Sequence, residues 1–307
     1  MYIGVTDRNW FEFLRSRNSA EVNFWRPGGS SFKVLKPGEL FLFKLHNPNN
    51  FIVGGGFFVR YSNLPLSLAW EAFGNENGVE TFDQLVKSIS KYSKSGERIL
   101  TEHNIGCIIL TDVFYFEEKA WVPIPEDWSS NIVQGKGYST EDDQGRKLLQ
   151  KIQEAFKFRS PEFSNQISEP ENSNLYGPLS SSRPRLGQGA FKVLTLEAYQ
   201  RKCAITGERT LPVLEAAHIQ PYSQNGPHDI ANGILLRRDY HTLFDRGYLT
   251  IEPDFTIRVS PKIKHDFGNG REYYAHQGKK LTNLPLVAED LPSKEYLDWH
   301  NNHVYLG

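Results

Sequence analysis

Between Ser160 and Ser182 the chain runs through Ser, Pro, Asn and Glu with few apolar side chains. Such a stretch cannot bury enough apolar surface to offset the entropy of ordering it, so it reads as a linker. The core must then be built from the blocks on either side, and 307 residues suit two domains better than one. The expected organisation is a first domain over 1–138, a helix and linker over 139–182, and a second domain over 183–307. Glu141–Phe158 is predicted helical, because a Ser/Thr cap and an acidic first turn precede it.

The first block predicts short apolar strands at Phe41–Leu45, Phe51–Arg60, Cys107–Phe116 and Ala120–Ile124. Turn residues at Lys36–Glu39 and Asn47–Asn50 separate them, and helices are predicted near Trp10–Ser16 and Phe82–Tyr92. Many short strands with a few helices suggest a small barrel or strongly curved sheet, and an α+β class overall. The Gly54-Gly-Gly56 run lacks the Gly-Lys-Ser/Thr of a phosphate loop, so it marks a bulge or a close backbone approach within a strand.

Net charge is −1 for the whole chain, from 35 Lys and Arg against 36 Asp and Glu. That balance argues at first against a nucleic-acid partner. By block it is −1 over 1–138, −2 over 139–182 and +2 over 183–307, and the last block holds seven of the nine histidines. Two cysteines exclude a disulfide scaffold or a four-thiolate zinc site. Asp7 and Arg8 interrupt any secretory leader at the N-terminus, and no segment reaches the ~20 apolar residues of a membrane helix. The expected location is cytoplasmic, with Cys107 and Cys203 as reduced thiols.

The histidine-rich block holds the chemistry. Val213–Ile219 is predicted as a strand ending at His218, followed by a turn-rich loop and a second strand over Gly233–Leu236. A helix then begins near Arg238 or Asp239 and places His241 and Asp245 on one face, four residues apart. Two imidazoles and a carboxylate gathered by a hairpin and a helix suit metal-assisted hydrolysis, in which one group deprotonates water and others hold a cation.

His218, Asn232 and His241, spaced 14 and 9 apart, lie within Ala216-Ala-His-Ile-Gln-Pro221 and Asn232-Gly-Ile-Leu-Leu-Arg-Arg-Asp-Tyr-His-Thr-Leu-Phe-Asp-Arg-Gly247. This pattern resembles the HNH nucleases of the ββα-metal superfamily over roughly residues 184–262. The resemblance implies that His218 is the general base, that Asn232 braces its loop, and that His241 ligates a divalent metal with Asp245 as a second ligand or orienting partner. The implied ion is Mg²⁺ or Mn²⁺, with Co²⁺ or Ni²⁺ as alternatives. Many HNH enzymes place an Asp or His ligand just before the base; here that residue is Ala217, so the coordination shell must draw on Asp245, Asp239, Glu215 or water. Cys203 is followed by Thr206 where some relatives have a Cys-x-x-Cys pair, which argues against a structural zinc.

In the first block, Phe24-Trp-Arg-Pro27, Leu35–Lys44 and Phe51–Val59 together resemble EVE domains of the PUA-like group, with Gly38-Glu39 at the characteristic strand turn. The implied fold is a curved PUA-like barrel, and the implied ligand is a modified base flipped into an aromatic-walled pocket, for which Trp25 and Trp70 are the candidates. Joined, the halves resemble the EVE-HNH modification-dependent restriction endonucleases. The implied substrate is double-stranded DNA carrying 5-methylcytosine or 5-hydroxymethylcytosine, cut nearby, with a homodimer as one route to a double-strand break. The alternatives are a modified-base binding protein with an inactive nuclease domain, and an RNA-directed HNH nuclease. Weak net charge then fits a binder that depends on a pocket, because phosphate attraction carries no sequence information.

Overall fold

The computed structural model describes residues 1–28, 31–92, 103–157 and 186–307. It divides into two compact units, Met1–Arg185 and Leu186–Gly307. The linker expected over 160–182 lies outside the described residues.

In the first unit, β1 (Tyr2–Thr6) leads into α1 (Arg8–Arg17) and β2 (Glu21–Arg26). The Asp7 side chain accepts the Trp10 N–H at 2.8 Å and so caps α1, whose buried Trp10, Phe11 and Leu14 face the core. Then follow β3 (Leu40–Leu45), β4 (Phe51–Pro65), α2 (Leu66–Phe73), α3 (Phe82–Tyr92), β5 (Asn104–Tyr115), β6 (Val122–Pro123), β7 (Gly135–Gly137) and α4 (Asp143–Lys157). The sheet runs β2-β5-β4-β3-β1-β7, with β6 paired to β4. β1 and β3 are parallel, and the remaining pairs are antiparallel.

Two of the strands are longer than expected. β4 spans 15 residues and β5 spans 12, and their ladder carries two register shifts. The expected strand at Ala120–Ile124 shrinks to Val122–Pro123, because Glu118–Ala120 forms a 3-10 turn. The glycine run explains itself through close approach: a Cβ on Gly54 would lie 2.3 Å from the Phe114 carbonyl oxygen, and one on Gly55 would lie 2.5 Å from that of Phe41. One core cluster gathers Trp10, Phe11, Phe24, Phe41, Phe43 and Phe58. A second gathers Ile3, Leu42, Phe114 and Phe116 with Leu148, Ile152 and Ala155 of α4. The helix at the start of the 139–182 segment therefore packs into the core of the first unit.

The second unit opens with α5 (Gln188–Ala198), then the hairpin β8 (Leu214–His218) and β9 (Gly233–Arg237), then α6 (Arg238–Asp245). The short hairpin β10 (Leu249–Ile251) and β11 (Ile257–Val259) follows, with α7 (Lys262–Phe267), α8 (Arg271–Tyr274) and α9 (Lys294–His303). Its core includes Phe191, Tyr199, Ile205, Leu235, Tyr240, Phe244 and Leu297, all buried. Among the described residues no helix is long and apolar enough to cross a membrane. Overall the chain is mixed α and β.

Candidate active site

The β8–β9 register sets the frame by pairing His218 with Gly233 and Leu214 with Arg237. The chain then enters α6 with no break. Tyr240 and Phe244, four apart, are fully buried and anchor the helix. His241 and Asp245 follow one residue further round, so anchoring the apolar pair aims the polar pair along the hairpin. His241 Nδ1 meets the Glu215 carboxylate of β8 at 2.8 Å, and His241 Nε2 lies 3.3 Å from Asp245 Oδ2. Glu215 also accepts the Arg238 Nε–H at 2.7 Å. Burial works against a charged His241, but Asp245 and Glu215 outweigh it and leave its pKa above the usual value. Burial likewise opposes the Glu215 carboxylate, and the bonds from His241 and Arg238 overcome it and hold its pKa low.

His218 stands at the end of β8. Its ring stacks on Phe191 of α5, with centroids 3.8 Å apart and planes within 14°. A Cβ on Gly233 would come 2.9 Å from the Phe191 ring, so the glycine opposite His218 makes room for that stack. Burial lowers the His218 pKa to about 4, helped by the neighbouring His228 and His241 and opposed by Asp245. At neutral pH the imidazole is therefore uncharged. Its electrostatic coupling to both His241 and Asp245 puts the strand end and the helix face in one neighbourhood.

Asn232 is fully buried just before β9. Its Oδ1 accepts the Gln220 N–H at 2.9 Å, and its Nδ2 donates to the carbonyls of Gln220 and Pro227, each at 2.9 Å. The Asn232 carbonyl accepts the Ile219 N–H at 2.9 Å. One side chain thus ties the segment after His218 to the far end of the loop. Gly226 permits the loop's tight path, since a Cβ there would lie 1.8 Å from the Gln220 carbonyl oxygen.

One of the residues considered as a ligand lies elsewhere. Asp239 is held by Arg237 through two bonds of 2.7 Å and by the Tyr273 hydroxyl, so its carboxylate is committed to that cluster. Ala217 is fully buried in the core. Among the described residues no group of three or more His, Cys, Asp or Glu is arranged to hold a metal. The His241 Nε2 and Asp245 pair nevertheless offers nitrogen and oxygen donors side by side, with Glu215 behind His241 Nδ1. That is the outer-shell carboxylate arrangement which turns an imidazole's second nitrogen toward an ion. The donors fit a divalent ion that takes its remaining ligands from water and phosphate oxygen.

Residues 203–252 match the family model for HNH endonuclease. The HNH endonuclease domain therefore spans β8, β9, α6 and β10 and begins at Cys203. At its start, Cys203 Sγ accepts the backbone N–H groups of Thr206 and Arg237, at 3.5 and 3.3 Å, so this turn closes through hydrogen bonds to sulfur. Among solved structures, the chain is similar to an ASCH protein from Zymomonas mobilis at 8% identity and a TM-score of 0.36, covering 48% of this chain and 93% of that one. It is also similar to the modification-dependent TagI restriction endonuclease at 11% identity and a TM-score of 0.28, covering 93% of this chain and 75% of that one. No curated protein matches the chain.

One residue beside the candidate site carries no motif signal in the sequence. His228, in the loop between β8 and β9, brings its Nδ1 to 3.0 Å from His218 Nε2. Its only signal in the sequence was membership of the histidine-rich block.

The two tryptophans suggested for a base pocket lie in the first unit. Trp25, on β2, is half-buried and donates its Nε1–H to the Asn77 carbonyl at 2.9 Å. Trp10 donates to the same oxygen at 3.0 Å. Asn77 Nδ2 in turn bonds the Ala69 carbonyl, next to Trp70 on α2, and the Trp70 ring contacts Phe82. Nearby Asn23 is fully buried, with Nδ2 bonded to Asn77 Oδ1 at 2.9 Å and Oδ1 without a hydrogen-bond partner among the described residues.

Proposed function

We propose that the chain is a modification-dependent restriction endonuclease that recognises 5-methylcytosine or 5-hydroxymethylcytosine in DNA and hydrolyses phosphodiester bonds nearby. The observation that supports it most is the hairpin and helix that set a neutral, stacked His218 beside the Glu215–His241–Asp245 array. His218 takes the proton of the attacking water. Asn232 holds the backbone after it, so the imidazole keeps its aim through the reaction. Phe191 fixes the ring plane, and Glu215 orients His241. A divalent ion held by His241 and Asp245 would supply positive charge against the phosphate and leaving oxygens.

The first unit is read as a PUA-like reader in which Trp25 and Trp70 flank a flipped base. A half-buried Trp25 and the unpartnered Asn23 Oδ1 nearby support this placement, since a flipped base needs both an aromatic face and an edge partner. Double-strand cleavage would come from a homodimer, two nearby modified sites or successive nicks.

The deciding experiment digests one plasmid, prepared with and without cytosine methylation, beside a structured RNA, with Mg²⁺, Mn²⁺, Co²⁺ or Ni²⁺. Cleavage of the methylated plasmid alone, abolished by chelation and by His218→Ala while binding persists, is the expected result. Equal cleavage of the unmodified plasmid would overturn the modification dependence, and preferential cleavage of RNA would overturn the substrate class.

A further inference from the structure

His228 belongs to no part of the mechanism above, yet among the described residues it makes the hydrogen bond that His218 forms with another side chain. Its ring lies parallel to that of Tyr222, with centroids 4.7 Å apart and planes within 6°, so its orientation is held. His218 is held in turn by Phe191. The two imidazoles therefore meet in a defined way, Nε2 of His218 against Nδ1 of His228 at 3.0 Å.

Between two neutral imidazoles at that distance there is room for one hydrogen, and it has two possible owners. If His218 donates, both rings carry their hydrogen on Nε2, the tautomer that the free side chain prefers. If His228 donates, both rings must adopt the less favoured Nδ1–H form. The first arrangement leaves the lone pair of His218 on Nδ1, where no hydrogen bond is made among the described residues. The second places a hydrogen there and leaves His218 no lone pair for a water. The atoms that face each other thus select the form able to act as a base.

We propose that His228 is a positioning residue that accepts the His218 Nε2–H and so holds the His218 ring with its Nδ1 lone pair available to the attacking water. This rests on the reading of His218 as the base. As water gives its proton to Nδ1, His218 becomes an imidazolium, and the bond from its Nε2–H to His228 strengthens as a charge-assisted one.

The test has two independent readouts. Histidine ring ¹⁵N spectra of the metal-free full-length chain report the tautomers without any reaction. The expected result is Nε2–H on both His218 and His228, with a scalar coupling between His218 Nε2 and His228 Nδ1 across the shared hydrogen. Steady-state cleavage of a 5-methylcytosine plasmid with Mn²⁺ then compares variants. His228→Ala is expected to lower kcat by roughly 10- to 100-fold at unchanged KM. His228→Asn, whose amide oxygen can stand where Nδ1 stood, is expected to recover most of that loss. Three results would each overturn the assignment: a hydrogen on His218 Nδ1 in the wild type, wild-type cleavage by His228→Ala, or a His228→Asn no faster than His228→Ala. Normal cleavage by His218→Ala would instead sink the reading of His218 as the base, and the ring spectra would still decide the tautomer. Should His228→Ala fail to fold, the wild-type spectra and His228→Asn keep the assignment open to refutation.

Discussion

Asn232 spends both of its amide hydrogens and one acceptor site on one loop, accepting from Gln220 and donating to Gln220 and Pro227. Truncation to alanine would take the partner from three part-buried backbone groups that surround a fully buried side chain. Each orphaned group costs roughly 1–3 kcal/mol, so Asn232→Ala is expected to destabilise the second unit by about 3 kcal/mol. Urea unfolding of the wild type and variant checks this, and a loss under about 1 kcal/mol would mean that water replaces the amide. Cleavage should fall as well, because the segment that follows His218 would lose its brace. Asn232 was singled out by the resemblance of its motif to the HNH pattern. Its three bonds were not, since they depend on Gln220 and Pro227 folding back on it.

The hairpin and α6 hold the site together as elements. Gly233 faces Thr195 and Phe191 so closely that an added Cβ would lie 2.7 Å from Thr195 Oγ1 and 2.9 Å from the Phe191 ring. Gly233→Ala should therefore push Phe191 off the His218 ring, at a cost of roughly 1–3 kcal/mol for overpacking. Thermal melting would record the loss, and displaced His218 ring resonances would localise it. In α6 the shared face of His241 and Asp245 was legible from their spacing of four, while the buried pair Tyr240 and Phe244 beside it came from the fold. The partner of His241 was not legible. Glu215 lies 26 residues earlier, and only the strand register and the helix packing bring its carboxylate to 2.8 Å from Nδ1. A Glu215→Gln variant keeps a hydrogen-bond acceptor but removes the charge, so weaker divalent-ion binding by roughly 10- to 100-fold is expected by calorimetry.

For the whole molecule, the two compact units each have their own buried core, and residues 186–307 contain every member of the proposed nuclease site. Expressed alone, that segment is expected to fold and to nick DNA without regard to methylation, which circular dichroism and a plasmid assay would test. Stability should also depend on pH through His300, which is 2% exposed, donates its Nε2–H to the Phe244 carbonyl at 3.0 Å and stacks on the Phe244 ring. Burial lowers its pKa to about 4, offset in part by that carbonyl bond and by Asp245. The unfolded chain takes up a proton near the ordinary histidine value of about 6.5, and the folded chain refuses it until about pH 4. The stabilisation is complete above about pH 6.5 and is lost as pH falls from there to about 4, amounting to on the order of 3 kcal/mol. His218 shifts in the same direction. Unfolding curves at pH 7.5 and 5 would show the drop, and a His300→Leu variant should flatten it.

The linear order of residues determined the strand–loop–strand–helix of the nuclease half and put His218 at a strand end and His241 on a helix face, because those features follow from local periodicity, turn residues and spacing, whereas Asn232 stood out through the resemblance to the HNH pattern. It marked Gly54–Gly56 as a bulge or a place of close approach, but the length of β4 and β5 came from their pairing with each other across the sheet. Only the tertiary structure decided which carboxylate stands behind His241, that Asp239 is bound away by Arg237, and that His228 meets His218. Such contacts join residues whose separation along the chain says nothing of their distance in space. Register, packing of the apolar stripe and the path of a loop set them, and all three are settled only when the core closes.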